Sequence, residues 1–425
     1  LFLLSNSLRR RCTVAPALAS VLLAFAPPAV AQTRITPGAF NTANTTATPI
    51  SLRSALDAAW ALHPASRTSG NRSAELEARA RAAQSFVPGS PSVGLAHRTD
   101  VLSGNAGLRE YEAEVAVPLW NPGVRGAAQH QVAADVAAFA WQQNAERLRL
   151  AGEIREAAAR VALARVDRDG AVRKHVEATE LAIDVEQRVK AGESPRVDAM
   201  QARASAQLAQ GQLAQLDAAL IRAQGQWRAL TGQTQVANLD ESLPGGVAQN
   251  EHPALQAAQA QVLGAQARLT LTEADRRDPM ELGLGVTRER AGAGANPETS
   301  VRLALRIPLG SDSRNTAKLA AALAELDAAQ AQADAVARQL DADIASAQAG
   351  LDAARQQVAM AAQRATLSTQ MQALVAKSHR LGESDLPTRM RSDNEKLDAD
   401  LSLARARIEL QRAVSQLNQA LGTLP

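Results

Sequence analysis

The sequence predicts a mainly α-helical chain carrying a small amount of membrane-type β structure, built as one unit used twice: helix, β-hairpin, long helix, return helix. Three observations lead there. Aromatic residues make up only 2% of the chain while apolar residues make up 46%, and the difference is alanine, which with Leu, Gln, Glu and Arg favours long, closely packed helices. Landmarks in the first half recur in order in the second half at offsets of 189 to 191 residues. Between the helical stretches lie two pairs of segments in which apolar residues alternate with period two, the signature of half-buried strands.

Residues 1–31 read as a secretory signal: Arg9, Arg10 and Arg11 form a charged start, and Val14 to Ala26 form an apolar stretch shorter than the roughly 20 residues that span a bilayer. Ala29-Val30-Ala31 is an A-x-A cleavage site, so Gln32 is the expected mature start, followed by an extension over 32–50. Removing those three arginines leaves 43 basic against 43 acidic residues, so the high isoelectric point is no argument for nucleic-acid binding. The sole cysteine, Cys12, lies in the signal and lacks a lipidation context, and no later apolar run is long enough for a transmembrane helix.

The first copy of the unit is expected over 51–232 and the second over 251–425, joined by a linker over 233–250 that contains Pro244-Gly245-Gly246. His63-Pro64-Ala65 recurs as His252-Pro253-Ala254, with proline in the first turn of a helix that runs to about Phe86 in one copy and Ala274 in the other. Strands follow at about 91–99 and 111–119, and at about 279–288 and 300–309; Val301, Leu303, Leu305, Ile307 and Leu309 share one face. A long helix comes next, about Gly126 to Ala191 and about Asn315 to Arg380. In the second, Leu319, Leu323, Leu326, Ala333, Ala337, Leu340, Ile344, Ala347, Leu351, Ala354 and Val358 form a coiled-coil seam interrupted at Gln330. About 65 residues at 1.5 Å each make a rod of roughly 100 Å. Gly192-Glu193-Ser194 and Gly382-Glu383-Ser384 then reverse the chain into return helices, from about Arg196 to Thr231 and from Thr388 to Gly422.

An exported chain with apolar-faced strands needs a lipid or protein partner for them, because a lone hairpin is at best marginally stable in water. In lipid every backbone group needs a partner, so only closed barrels are viable, and closure takes at least about eight strands. Four strands per chain therefore imply a barrel assembled from several chains. Val115, Val117, Leu303 and Leu305 are the candidate lipid-facing residues. Tyr111 and Trp120, at the two ends of the second strand, are open to two readings, an interfacial aromatic girdle or ordinary packing.

The stretches VAVPLWNPGVRGA, LALRIPLGSDSRNTA, VKAGESPRVDAMQARASAQL and SHRLGESDLPTRMRSDNEKLDADLSLARARIELQRAVSQLNQALGTLP, in this order, resemble the TolC-type outer-membrane efflux family, over about Ser51 to Pro425. The resemblance implies a homotrimer with a 12-stranded transmembrane β-barrel and a periplasmic α-barrel. It implies as partners a periplasmic adaptor, an inner-membrane pump of the RND type and outer-membrane lipid, with no nucleic acid and no cofactor. In that family acidic residues just after the turn narrow the closed pore. Asp198 falls on such a position, while copy two has Thr388 and Arg391 at the matching places. Glu193, Asp198, Glu383 and Asp385 are thus the candidate periplasmic gate, with the alternative that they are solvated turn and helix-start charges. The alanine-rich coils and LGESDLPTRMR are most similar to the heavy-metal branch, which implies metal cations or drugs as exported solutes.

The chain is expected not to be an enzyme. None of the six histidines pairs at i, i+4 and no HExxH occurs, so surface histidines are the simpler reading than zinc ligands. Gly283-Leu284-Gly285 lies in a strand and opens no helix, unlike a nucleotide loop. Two other functions compete: a periplasmic adaptor, which should carry one helical hairpin within β-rich flanks, and a surface coiled-coil protein, which should carry a continuous stalk with one anchor.

Overall fold

The computed structural model describes residues 50–243, 251–310 and 312–425. The expected signal, Cys12, the cleavage site, the extension before Ile50 and Pro244-Gly245-Gly246 lie outside the described residues. The elements run α1 (Leu52–Leu62), α2 (Pro64–Gln84), β1 (Ser92–Thr99), β2 (Arg109–Leu119), α3 (Val124–Ala191), α4 (Arg196–Thr231), α5 (Pro253–Ala274), β3 (Met280–Arg290), β4 (Glu298–Arg306), α6 (Asp312–Arg380) and α7 (Leu386–Ala420). At 68 and 69 residues, α3 and α6 are rods of about 100 Å.

Local chemistry sets the helix ends. His63 and His252 precede prolines, which holds them extended, and each ring Nδ1 accepts a hydrogen bond from the backbone N–H two residues on, at 3.3 Å from Ala65 and 3.1 Å from Ala254. The repeated His-Pro is therefore an N-cap followed by an N1 proline. Helix α1, an element the sequence pattern does not announce ahead of the His63-Pro64 start, is capped by the Ser51 hydroxyl and buries Leu52, Ala55, Leu56 and Ala59 along one stripe.

The main core is where α1, the middle of α3 and the end of α4 meet. Leu56, Leu150, Ile154, Val161 and Trp227 are fully buried there, joined by Val236, Ala237 and Leu239 from the segment after α4. Buried Arg155 ties that segment and the C-terminus to α3. Its guanidinium donates to both Glu241 carboxylate oxygens, to Gln419 Oε1 at 2.6 Å and to the Thr423 carbonyl at 2.9 Å. With its hydrogen bonds and charge both satisfied, the pair can stay out of water; removing one partner would leave the other stranded.

Helix α3 packs against α1, α2, α4, α5 and α7, whereas α6 packs mainly on α5 and α7. The α6 seam differs from expectation at two positions. Ala322 is buried and Leu323 is 44% exposed, so the stripe runs through Ala322 and Ala329 and passes Gln330 by. The shift keeps Gln330 off the contact stripe and leaves leucine in place of alanine on the outer side.

Strands β1 to β4 form one antiparallel sheet in the order β1-β2-β3-β4. Besides the two hairpins, β2 pairs with β3 over Arg109↔Arg290 to Leu119↔Met280, which joins the two copies along their strands.

Candidate functional site

Successive strand residues face opposite sides of a sheet, and the register brings like residues into rows. Val93, Val115, Leu284 and Leu303 form one row across all four strands. Leu95, Ala113, Val286 and Val301 form the next, and Val117, Leu282 and Leu305 the one on the other side. Of the expected lipid-facing residues, Val115, Leu303 and Leu305 are exposed on this face and Val117 is half-buried. No other described element covers its large side chains: Leu95, Val301 and Leu303 are each more than 70% exposed.

The opposite face is charged. Arg302 reaches Glu112 at 2.8 Å, Arg306 reaches Glu281 at 3.4 Å and Arg98 reaches Glu110 at 3.7 Å. The Arg302–Glu112 pair spans from β4 to β2 over Gly285, whose missing side chain leaves the path open. Gly283 serves Glu114 in the same way: a Cβ there would lie 2.6 Å from Glu114 Oε1. The glycines that failed as a nucleotide loop thus make room for charge on a polar sheet face.

Of the two aromatics, Tyr111 is exposed and stacks on His97 with ring centres 4.5 Å apart. Trp120 is half-buried, and its Nε1 donates to the Ser85 carbonyl at 3.1 Å, tying the end of α2 to the end of β2. Asn121 beside it donates to the carbonyls of Arg277 and Asp278, bracing the strand–helix junctions of both copies.

At the far end of the rods the two turns share one geometry. Gly192 and Gly382 take left-handed φ values of 81° and 79°, where a side chain would be strained. The next amides close the helices, Glu193 N–H to the Arg188 carbonyl at 2.8 Å and Glu383 N–H to the Ser378 carbonyl at 3.0 Å. Glu193 and Glu383 thus owe their positions to backbone roles, and both side chains are exposed. Asp385 is the N-cap of α7, its carboxylate accepting from Thr388 N–H at 3.0 Å. The bonds from Thr388, with Arg391 nearby, hold this carboxyl below the usual range. Asp198 lies in the first turn of α4, where its charge complements the helix dipole. Leu386 packs among Ala182, Val185 and Ala202, so the start of α7 is seated against the α3–α4 hairpin. Beside Arg391, already noted at a matching place, sequence reasoning missed the other neighbouring bases: Lys190 and Arg196 flank Glu193, and Arg380 and Arg389 flank Glu383 and Asp385.

Above the turns, Glu177, Glu180 and Asp184 of α3 share a cavity of about 320 Å³ with Arg389 and Asp393 of α7 and Gln372 of α6. Burial raises the Glu177 carboxyl above the ordinary range, against the pull of Lys396 and with Asp393 opposing its charge. Among the described residues, no group of three or more His, Cys, Asp or Glu is placed to hold a metal ion, and no helix is long and apolar enough to cross a membrane.

Solved structures match this arrangement. The outer-membrane protein VceC of Vibrio cholerae superposes with a TM-score of 0.70 at 17% identity, over 88% of this chain and 96% of that one. CusC, described for its transmembrane channel formation, gives 0.72 at 16% identity, over 88% and 93%. The outer-membrane channel MtrE of Neisseria gonorrhoeae gives 0.70 at 16% identity, over 88% and 89%. The chain has the fold of these outer-membrane proteins. No sequence-family description and no curated protein matches it.

Proposed function

We propose that the chain is the outer-membrane channel subunit of a tripartite efflux system, a passive conduit with a long periplasmic portion. The observation that carries this is the sheet, with one continuous apolar face, one charged face and two unpaired edges, β1 and β4, at the end of rods about 100 Å long. Unpaired edges are not tolerated in hydrocarbon. With β1 and β4 running in opposite directions, β4 of one copy can pair with β1 of the next and keep the barrel antiparallel throughout. Three copies give the 12-stranded barrel that the resemblance implies, with Val115, Val117, Leu303 and Leu305 toward lipid and the Glu–Arg pairs toward the lumen.

The helices support the same ring. Val197, Met200, Leu208 and Ile221 of α4, and Leu367, Met371 and Leu374 of α6, are exposed on helices that pack on few others within the chain. In a head-to-tail trimer they would face one another and close a periplasmic α-barrel. A periplasmic adaptor and an RND-type inner-membrane pump are the partners this geometry serves. Metal cations or drugs would be the cargo, with selection made by the pump. The turns would form the periplasmic mouth. There Asp198 is the acid best able to act on passing ions, since the Asp385 carboxylate is committed to its cap.

The test is assembly. The protein should fractionate with outer membranes and cross-link as a trimer, and Val115→Arg or Leu305→Arg should impair insertion, because a charge at the bilayer midplane costs roughly 2–4 kcal/mol. Normal assembly of both variants would overturn the assignment of the lipid face. For the mouth, Asp198→Asn should reduce cation preference in single-channel recordings at low salt. Unchanged selectivity would leave Asp198 as a helix-start charge.

A further inference from the structure

Charge on the four strands is sorted by face more strictly than a barrel requires. All six strand glutamates, Glu110, Glu112, Glu114, Glu281, Glu289 and Glu298, share the polar face by the parity of the register. The apolar face carries no acid on any strand. It does carry Arg109, Arg288 and Arg290, all at the end remote from the helices. Above the last apolar row, Leu95–Ala113–Val286–Val301, comes the row His97–Tyr111–Arg288–Thr299. Above that, Arg109 and Arg290 stand directly opposite each other. Rows on one face are two residues apart, about 7 Å along the strand.

Like charges opposed across strands are destabilising unless something lies between them. Arg109 is partly occupied by Asp100, Thr99 and the Leu108 carbonyl. Arg290 has its Nε buried without a hydrogen-bond partner, and neither it nor Arg288 forms an ion pair among the described residues. Arg288 also borders a groove of about 470 Å³, whose other walls include Leu95, His97, Tyr111 and Val286 of this face and Glu112 of the opposite one. An apolar floor ending at an aromatic pair and then at unpaired guanidinium groups matches a lipid lying along the barrel, with its acyl chains below and its phosphate above.

We infer that Arg288 and Arg290, backed by Arg109, bind the phosphate groups of lipid headgroups in the outer leaflet. The inference rests on the membrane-barrel reading above. The helices fix which end faces outward, and the planar guanidinium fork suits a phosphate in bidentate geometry. The occupant is a phosphorylated lipid and not a solute in the lumen. At the same height the lumen face presents Glu110, Glu289 and Glu298, which repel anions.

The test compares wild type with an R288Q/R290Q variant. Both are reconstituted in phosphatidylcholine vesicles that contain lipid A, dephosphorylated lipid A or neither, then extracted into mild detergent. Mass spectrometry counts the lipid retained per trimer. Wild type should retain lipid A several-fold more than the variant, and neither should retain the dephosphorylated form. Equal retention of lipid A by both proteins, or equal retention of both lipids by wild type, overturns the inference and leaves the channel intact. Loss of retention in millimolar inorganic phosphate would reassign the site to free phosphate. Failure of wild type to insert into plain phosphatidylcholine would overturn the barrel reading itself, and this inference with it. Should the double variant fail to assemble, R288Q alone, at an exposed side chain, should lose part of the retention; full retention then counts against the site.

Discussion

The two copies of the unit are built on the same landmarks but occupy different environments. The long helix of the first copy, α3, is enclosed by helices of both copies, while α6 keeps one stripe for its neighbours and leaves the rest exposed. Near the ends of α4 and α7 the equivalent residues are Trp227 and Asn418. Both are buried and both use a side-chain N–H to hold a segment beyond α4: Trp227 Nε1 donates to the Gln235 carbonyl at 3.0 Å, and Asn418 Nδ2 to the Ser242 carbonyl at 3.1 Å. The first copy does this with a large aromatic at the centre of the main core, the second with a small amide. A duplicated pattern therefore fixes where helices begin, end and turn, while packing decides which copy carries the stability and which keeps a face for another chain.

The sharpest way to break that comparison is to remove both anchors. Trp227→Ala should cost about 3–5 kcal/mol through the lost volume. Asn418→Ala should cost about 0.5–1.5 kcal/mol, the net value of the bond to the carbonyl of exposed Ser242. Denaturant unfolding of the detergent-solubilised protein measures both. Equal costs would mean that the main core is not concentrated in the first copy.

The caps give a smaller, pH-dependent difference. His63 stacks on Trp60 and has Glu146 at 3.5 Å, whereas His252 is buried against the end of α7, beside Gln419. Burial holds the His252 imidazole below its ordinary value, so the folded chain resists a proton that the unfolded chain accepts. The neutral ring also keeps Nδ1 free to accept from Ala254 N–H. Stability from this group is present above the ordinary histidine range and is lost as pH falls through that range toward the depressed folded value. Thermal melts between about pH 7 and pH 5, spanning that ordinary value, should show the loss, and His252→Asn, which keeps a capping acceptor, should flatten it. An unchanged slope would place the acid sensitivity elsewhere.

Much of this arrangement is legible in the sequence, for reasons visible at particular residues. Helix α4 spans Arg196–Thr231 as expected because turn chemistry marks both ends, and the strands announce themselves by parity alone. Parity does not say which strands pair, so the β2–β3 contact between residues far apart in sequence is not readable from it. The expected seam differs by one residue at Leu323 because alanine and leucine both count as apolar, and only packing tells which faces the neighbour. A single residue, His63, separates α1 from α2; its His-Pro signature announces α2, whereas α1, at 11 residues, is too short for its apolar stripe to stand out ahead of it. At the turns the acids stand out by their repeated position. Their different duties depend on hydrogen bonds, such as Asp385 to Thr388, that spacing suggests but does not decide.

The turns supply the last and smallest contrast. In the second copy α7 starts with a side-chain cap, Asp385, and a proline in its first turn. In the first copy α4 starts at Pro195, which offers no side-chain cap, and Asp198 follows within the first turn. Losing Asp385 should therefore loosen α7 where losing Asp198 does little to α4. In Asp385→Ala the Thr388 amide should exchange with solvent deuterium several-fold faster, while Asp385→Asn, which restores an acceptor, should return it close to wild type. The wild-type amide should also lose protection in acid. The folded carboxyl is depressed by its bond to Thr388, so its contribution is present above the ordinary aspartate value and disappears as pH falls through the folded one. Asp198→Ala should leave the first-turn amides of α4 nearly unchanged, because its carboxylate acts there through the helix dipole and solvent screens that interaction. If the two substitutions instead loosened their helices equally, Asp198 would be holding backbone as Asp385 does, and it would no longer be the acid free to face the passing ion.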